Sequence, residues 1–146
     1  MKKAILTVGN TLRGDDGVAE YTGESIEGAS DWTVFYGGDA PENQFHNIRV
    51  FNPEIIVVID AVTGIEKGMA EFIDLDDDPG YSFATHNIPV QLLVKYLRIE
   101  YENVLFLGIG IDKKNTLEIG TGLSQTAVKG SASAMEKIYQ FDLLLR

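Results

Sequence analysis

Ile55-Ile56-Val57-Val58-Ile59 is an unbroken apolar, β-branched run closed by Asp60. A strand with no polar position must be covered on both faces. Parallel sheets meet that need by carrying helices in their crossovers. Three further short runs share the pattern: Ala4 to Val8, ended by Gly9-Asn10; Thr33 to Tyr36, ended by Gly37-Gly38; and Val104 to Leu107, ended by Gly108. Met69 to Leu75 is a further strand candidate. Helical spacing fills the gaps. Val18 to Ile26 and Pro41 to Phe51 follow the first two strands. Ile88 to Ile99 would turn Ile88, Leu92, Leu93, Tyr96 and Leu97 inward, with Asn87 as N-cap and Pro89 in the first turn. Ala127 to Leu145 would present Val128, Ala132, Met135, Ile138 and Tyr139 as one stripe. The expectation is a three-layer αβα sandwich: a mostly parallel twisted sheet with helices on both faces. Residues 1–146 are read as one domain, a length sufficient for a core without staples.

Composition narrows the function classes. Twelve Lys and Arg stand against 22 Asp and Glu, a net charge of −10, which disfavours nucleic acid and anionic membrane as partners. The absence of cysteine removes disulfides, thiolate metal sites and thiol nucleophiles, and fits a cytoplasmic location. The opening MKKAILTVGN is too short in apolar residues for a signal peptide, and no later run approaches a membrane span.

In open α/β sheets, ligands bind beyond the carboxyl ends of the strands. After the first strand comes Gly9-Asn10-Thr11-Leu12-Arg13-Gly14-Asp15-Asp16-Gly17. Its outer glycines have phosphate-loop spacing, but Asp15 and Asp16 replace the Lys and Ser/Thr that such a loop needs, so phosphate would be repelled. One aspartate is expected to cap the helix starting near Gly17, and the other is a functional candidate. The glycines, with little apolar anchoring between them, predict a mobile loop. Asp60 directly ends the buried run, where a carboxylate is costly unless partnered. His86 precedes a helix in Ala84-Thr85-His86-Asn87-Ile88-Pro89, whereas His46 reads as a surface residue and the acidic stretch Asp74 to Asp78 as a solvated loop. Carboxylates after the first and third strands and a histidine at the next crossover form an N/O set suited to zinc or nickel. No G-x-S-x-G, H-E-x-x-H or strand-borne G-x-G-x-x-G is present.

At these residues the chain resembles the nickel–iron hydrogenase maturation endopeptidases. The likeness is carried by Gly9-Asn10-x-Leu12-x-x-Asp15-Asp16-Gly17, by Val58-Ile59-Asp60-Ala61, and by Thr85-His86-Asn87-Ile88-Pro89. Ala40-Pro41-Glu42-Asn43 resembles the branch serving hydrogenase 3, the formate-hydrogenlyase type. Ala19 stands where the family usually has glycine, Asp16 where some relatives have Glu, and residues 112–122 match nothing in the pattern. The resemblance implies an endopeptidase, aspartic-type with metal-dependent recognition. Such an enzyme removes a C-terminal extension from the precursor of a hydrogenase large subunit after nickel insertion. It implies Asp16, Asp60 and His86 as the catalytic and metal-contacting set, and Gly9, Asn10, Gly14, Asp15 and Gly17 as a substrate loop. Nickel would arrive on the substrate, zinc or cadmium could replace it, and no organic cofactor is expected. The alternatives are a receiver-like phospho-accepting domain, with Asp60 taking the phosphoryl group, and a non-catalytic metal-binding escort protein.

Overall fold

The all-apolar run does lie at the centre of a sheet. In a computed structural model, which describes residues 1–75, 82–83, 89–117, 119–120 and 122–146 (82 and 83 by their backbone), the strands are β1 (Lys3–Thr7), β2 (Thr33–Tyr36), β3 (Ile55–Thr63), β4 (Ala70–Phe72), β5 (Ser82–Phe83) and β6 (Val104–Gly110). Their order is β2-β1-β3-β6-β4, with β5 pairing β3 off that path. β1 runs parallel to β2 and β3, and β3 parallel to β6. β4 and β5 are antiparallel additions. The helices are α1 (Val18–Ala29), α2 (Phe45–Phe51), α3 (Val90–Glu100) and α4 (Gln125–Leu145). Alternation along β3 sorts the core into two layers. Val57, Ile59 and Ala61 join Ile5, Val18 and Ile138 on the α1/α4 face. Ile56, Val58 and Val62 join Ile48, Leu93 and Leu97 on the α2/α3 face. The αβα sandwich read from the sequence is therefore the fold. Among the described residues no helix is long and apolar enough to cross a membrane.

Several local expectations need correction. β3 does not stop at Ile59: it continues to Thr63 because β6 goes on pairing with it, Asp60 opposite Gly108 and Val62 opposite Gly110. Asp60 is thus inside a strand, one residue past the last β1 partner of β3, Thr7 opposite Ile59. Gly108 and Gly110 extend β6 instead of ending it, since a Cβ at Gly110 would lie 2.2 Å from the Glu66 carbonyl oxygen. The 41–51 stretch is a 3-10 turn (Pro41–Gln44) running into α2. Pro89 is the N-cap of α3 and not part of its first turn, while Ile88 and Asn87 lie outside the described residues. The inward face of α3 is Val90, Leu93, Val94 and Leu97; Leu92 and Tyr96 are 56% and 46% exposed, Tyr96 stacking on Phe45. On α4 the buried residues are Ala127, Gly130, Ser131, Ala134 and Ile138, while Val128 and Tyr139 face solvent. His46 and Asp74 are exposed as expected; Asp76 to Asp78 lie outside the described residues.

The amino edge of the sheet is pinned by Lys3. Its Nζ donates to Asp142 Oδ1 and Asp31 Oδ1, both at 2.8 Å, and sits 5.2 Å from the centre of the Trp32 ring. Lys3 and Asp142 side chains are only 11% and 13% exposed, so this contact fastens the end of α4 to β1. Burial alone would depress the Lys3 ammonium, but its bonds to Asp142 and Asp31 outweigh that and hold it above its ordinary value. A raised amine pKa stabilises the fold below the unfolded value, near ~10.4, and that contribution disappears as pH rises through the folded value. Lys3→Met should therefore cost about 2–3 kcal/mol near neutrality. Compared with wild type, the variant should lack the loss of stability above pH ~10.4; denaturant melts at pH 7 and pH 11 check both statements.

Candidate functional site

The sheet order places β1 and β3 side by side, and their carboxyl ends define the candidate site. Val8 N–H donates to the Ile59 carbonyl at 2.9 Å, so the chain leaving β1 passes directly beside Asp60. Strand alternation puts Asp60 on the α2/α3 face with Val58 and Val62. The aspartate is fully buried, and its Oδ1 accepts the Ala61 N–H at 2.8 Å.

Asp15 and Asp16 sit in a 3-10 turn (Gly14–Gly17) that packs against the end of β3 and feeds α1. Both are buried, at 0% and 2% exposure. Neither caps α1, contrary to the sequence expectation: the helix start carries no side-chain cap bond. The two carboxylates instead diverge, as neighbours in a three-residue turn must, by roughly 120°. Asp16 turns back to the loop, where its Oδ2 accepts the Asn10 N–H at 2.8 Å. Asp15 reaches across the fold to Ser124, the N-cap of α4. Asp15 Oδ1 accepts the Ser124 N–H and Oδ2 accepts the Ser124 hydroxyl, each at 2.7 Å.

Hydrogen bonds run along the glycine-rich segment that the sequence predicts to be mobile. Asn10 Oδ1 accepts the Leu12 N–H at 2.8 Å, and Asn10 Nδ2 donates to Asp39 Oδ2 at 2.9 Å. Gly9 N–H donates to the Gly38 carbonyl at 3.0 Å, and Gly120 N–H to the Leu12 carbonyl at 2.8 Å. The glycines serve close approach. Gly9 has φ +132°, and a Cβ there would stand 2.0 Å from the Asp16 carbonyl oxygen. Outside the loop is a cleft of about 200 Å³ lined by Thr11, Gly14, Gly17, Glu20 and Tyr21. Burial, and then the charge of Glu24, hold the Glu20 carboxyl above the usual carboxylate range.

Two buried carboxylates, Asp16 in the turn after β1 and Asp60 within the neighbouring β3, therefore each have one oxygen bonded by a backbone N–H. Oxygen donors oriented in this way are competent cation ligands and competent bases. His86, the third predicted member, lies outside the described residues; it precedes α3, which covers the same face of the sheet as Asp60. Among the described residues no three His, Cys, Asp or Glu side chains gather as a metal site. Sequence reasoning missed Ser124 and Asp39. Ser124 was findable as an N-cap serine opening an apolar-periodic run, but its pairing with Asp15 spans 109 residues.

The model of the HycI hydrogenase maturation protease family matches residues 18–141. The chain is 36% identical over 116 residues to the hydrogenase 3 maturation protease of Escherichia coli K12, covering 77% of this chain and 74% of that one. A crystal structure of an uncharacterized protein from Wolinella succinogenes superposes with a TM-score of 0.84 at 39% identity over the whole of both chains. The solution structure of the endopeptidase HycI from Escherichia coli gives a TM-score of 0.77 at 32% identity, covering 96% and 88%. The receiver-like alternative finds no counterpart here: the acid pair stands in its own turn well past Thr7, the last residue of β1.

Proposed function

The chain belongs to the hydrogenase maturation protease family, endopeptidases that process a hydrogenase precursor, and on that footing we propose that it removes a C-terminal extension from a nickel-loaded large-subunit precursor, with Asp16, Asp60 and His86 reading the metal. The observation that carries this reading is the pair of buried carboxylates, Asp16 in the turn that follows β1 and Asp60 within β3, the strand that pairs with β1. A divalent ion brought by the substrate is a natural partner for such carboxylate oxygens. Carboxylate and imidazole are competent nickel donors, so a precursor without nickel lacks the group that anchors its tail.

The hydrolytic step needs a water, a base and a polarised carbonyl. The aspartates are of the aspartic type required for the base: a carboxylate takes the proton as the water oxygen bonds to the scissile carbonyl carbon, and the proton then leaves with the amine. The substrate's nickel supplies the positive charge that holds the tail in register and polarises nearby oxygen. The chain itself carries no resident cofactor in this scheme, and its partner is the precursor protein.

Nickel-loaded and nickel-free precursor, each incubated with the chain and read by intact mass, test the proposal. Loss of a C-terminal peptide from the loaded form alone is expected. Equal cleavage of both forms would overturn nickel recognition, and cleavage of neither would overturn the proposed substrate. His86→Ala should abolish cleavage of the loaded form while circular dichroism and the thermal midpoint stay at wild-type values.

A further inference from the structure

Asp15 and Asp16 are adjacent, both acidic and both buried, yet their bonding separates them. We infer that Asp15 is a positioning residue, latched to Ser124, that holds the acid turn so that Asp16 meets the substrate's metal; this rests on the role proposed above for Asp16.

Both oxygens of Asp15 are engaged by one residue, through the Ser124 N–H and the Ser124 hydroxyl at 2.7 Å. The same hydroxyl oxygen accepts the Ala127 N–H at 3.1 Å, capping α4. Ser124 therefore works as a junction: it donates twice to the acid turn and accepts once from the helix. A carboxylate bonded in this way at 0% exposure is compensated for burial without any cation. Other contacts reinforce the junction. Thr22 Oγ1 on α1 and Ser131 Oγ on α4 share a buried hydrogen bond of 2.7 Å. Gly120 N–H closes onto the Leu12 carbonyl at 2.8 Å, so residues leading into α4 also hold the loop ahead of the acid turn. Asp16 follows Asp15 by one residue in the same turn, and a shift of that turn carries Asp16 away from the Asn10 N–H it now accepts. Of the described residues ahead of α4, Gly120 thus holds the loop and Ser124 the acid turn.

The test separates geometry from stability. Ser124→Gly keeps a tolerated N-cap for α4 while removing the hydroxyl that bonds Asp15 and offering no other side-chain donor; Ser124→Ala removes both; Ser124→Thr restores the hydroxyl. Cleavage of nickel-loaded precursor is followed well below each variant's thermal midpoint, with kcat and KM resolved. Ser124→Gly and Ser124→Ala should lower kcat by roughly 10- to 100-fold, in line with displacement of a reacting group by about 1 Å. KM should stay within about twofold, and Ser124→Thr should recover most of kcat. Asp15→Ala should lower kcat similarly, and Asp15→Ala/Ser124→Ala should be no worse than the weaker single variant, because both remove one interaction. Lys3→Met supplies the comparator: it loosens the opposite end of α4 and should lose stability without losing kcat. Wild-type kcat in folded Ser124→Gly would overturn the latch, as would an equal loss in Lys3→Met. Asp16→Asn keeps the two failures distinct: if it cleaves like wild type, the reading of the site falls; if it is inactive while Ser124→Gly is normal, the latch alone falls.

Discussion

Asp60→Asn should give a chain that folds and does not process precursor. Asn is nearly isosteric, and its Oδ1 can still accept the Ala61 N–H that now binds Asp60 at 2.8 Å. What it removes is one carboxylate oxygen of a fully buried group within β3. An isostere that keeps this bond should leave the thermal midpoint near the wild-type value. A group that binds metal or takes a proton loses that ability on amidation, and cleavage should fall by about 10³-fold, within the range expected for loss of a general base. Asp16→Asn should behave the same way, since Oδ1 or an equivalent acceptor remains for the Asn10 N–H. The informative quantity is the pair of readings, midpoint and cleavage, on each variant. A drop of several degrees with cleavage retained would identify either aspartate as a structural residue.

The layers of this fold were readable because the central strands carry unbroken apolar runs, Ala4 to Leu6, Ile55 to Ile59 and Val104 to Leu107, a pattern that suits a sheet covered on both sides. Asp60 and the Asp15-Asp16 pair were equally visible, as acidic residues where apolar runs break. The helix faces were not. Leu92, Tyr96 and Val128 are apolar and exposed, whereas α4 buries Gly130, Ser131 and Ala134. A Cβ at Gly130 would lie 2.7 Å from Ile109 Cγ2, so this helix approaches the sheet through its small residues, and a hydrophobic pattern has no sign for closeness of approach. The division of labour within the acid pair was hidden for another reason. Local rules place a carboxylate ahead of a helix as that helix's cap. Here a partner 109 residues away competes for Asp15, and a backbone N–H within the loop competes for Asp16. Sequence spacing reports neither.

Gly9→Ala should be among the most damaging single-methyl changes in this chain, on both stability and cleavage. Gly9 has φ +132°, a region that side chains avoid, and an alanine there costs about 1–3 kcal/mol in backbone strain alone. The added Cβ would stand 2.0 Å from the Asp16 carbonyl oxygen and 3.4 Å from Asp16 Oδ1. Backbone atoms cannot rotate away, so the acid turn or the exit of β1 must shift by about 1 Å. The exit of β1 is held by Val8 N–H on Ile59 and Gly9 N–H on Gly38, and the acid turn by Asp15 on Ser124. Either shift breaks bonds that position Asp16. We expect a loss of about 3 kcal/mol or more, a fall in midpoint of about 6–12 °C at this chain length, and a loss of cleavage of about 100-fold or more when measured below that midpoint. Gly28→Ala is the matching control. Gly28 lies in α1, and a Cβ there meets nothing within 4 Å. Alanine in that helix should stabilise the chain by about 0.5–1 kcal/mol and leave cleavage unchanged. Calorimetry and the cleavage assay on the two variants decide the matter. If Gly9→Ala melts and cleaves like Gly28→Ala, the close approach of the loop to Asp16 does not govern the site.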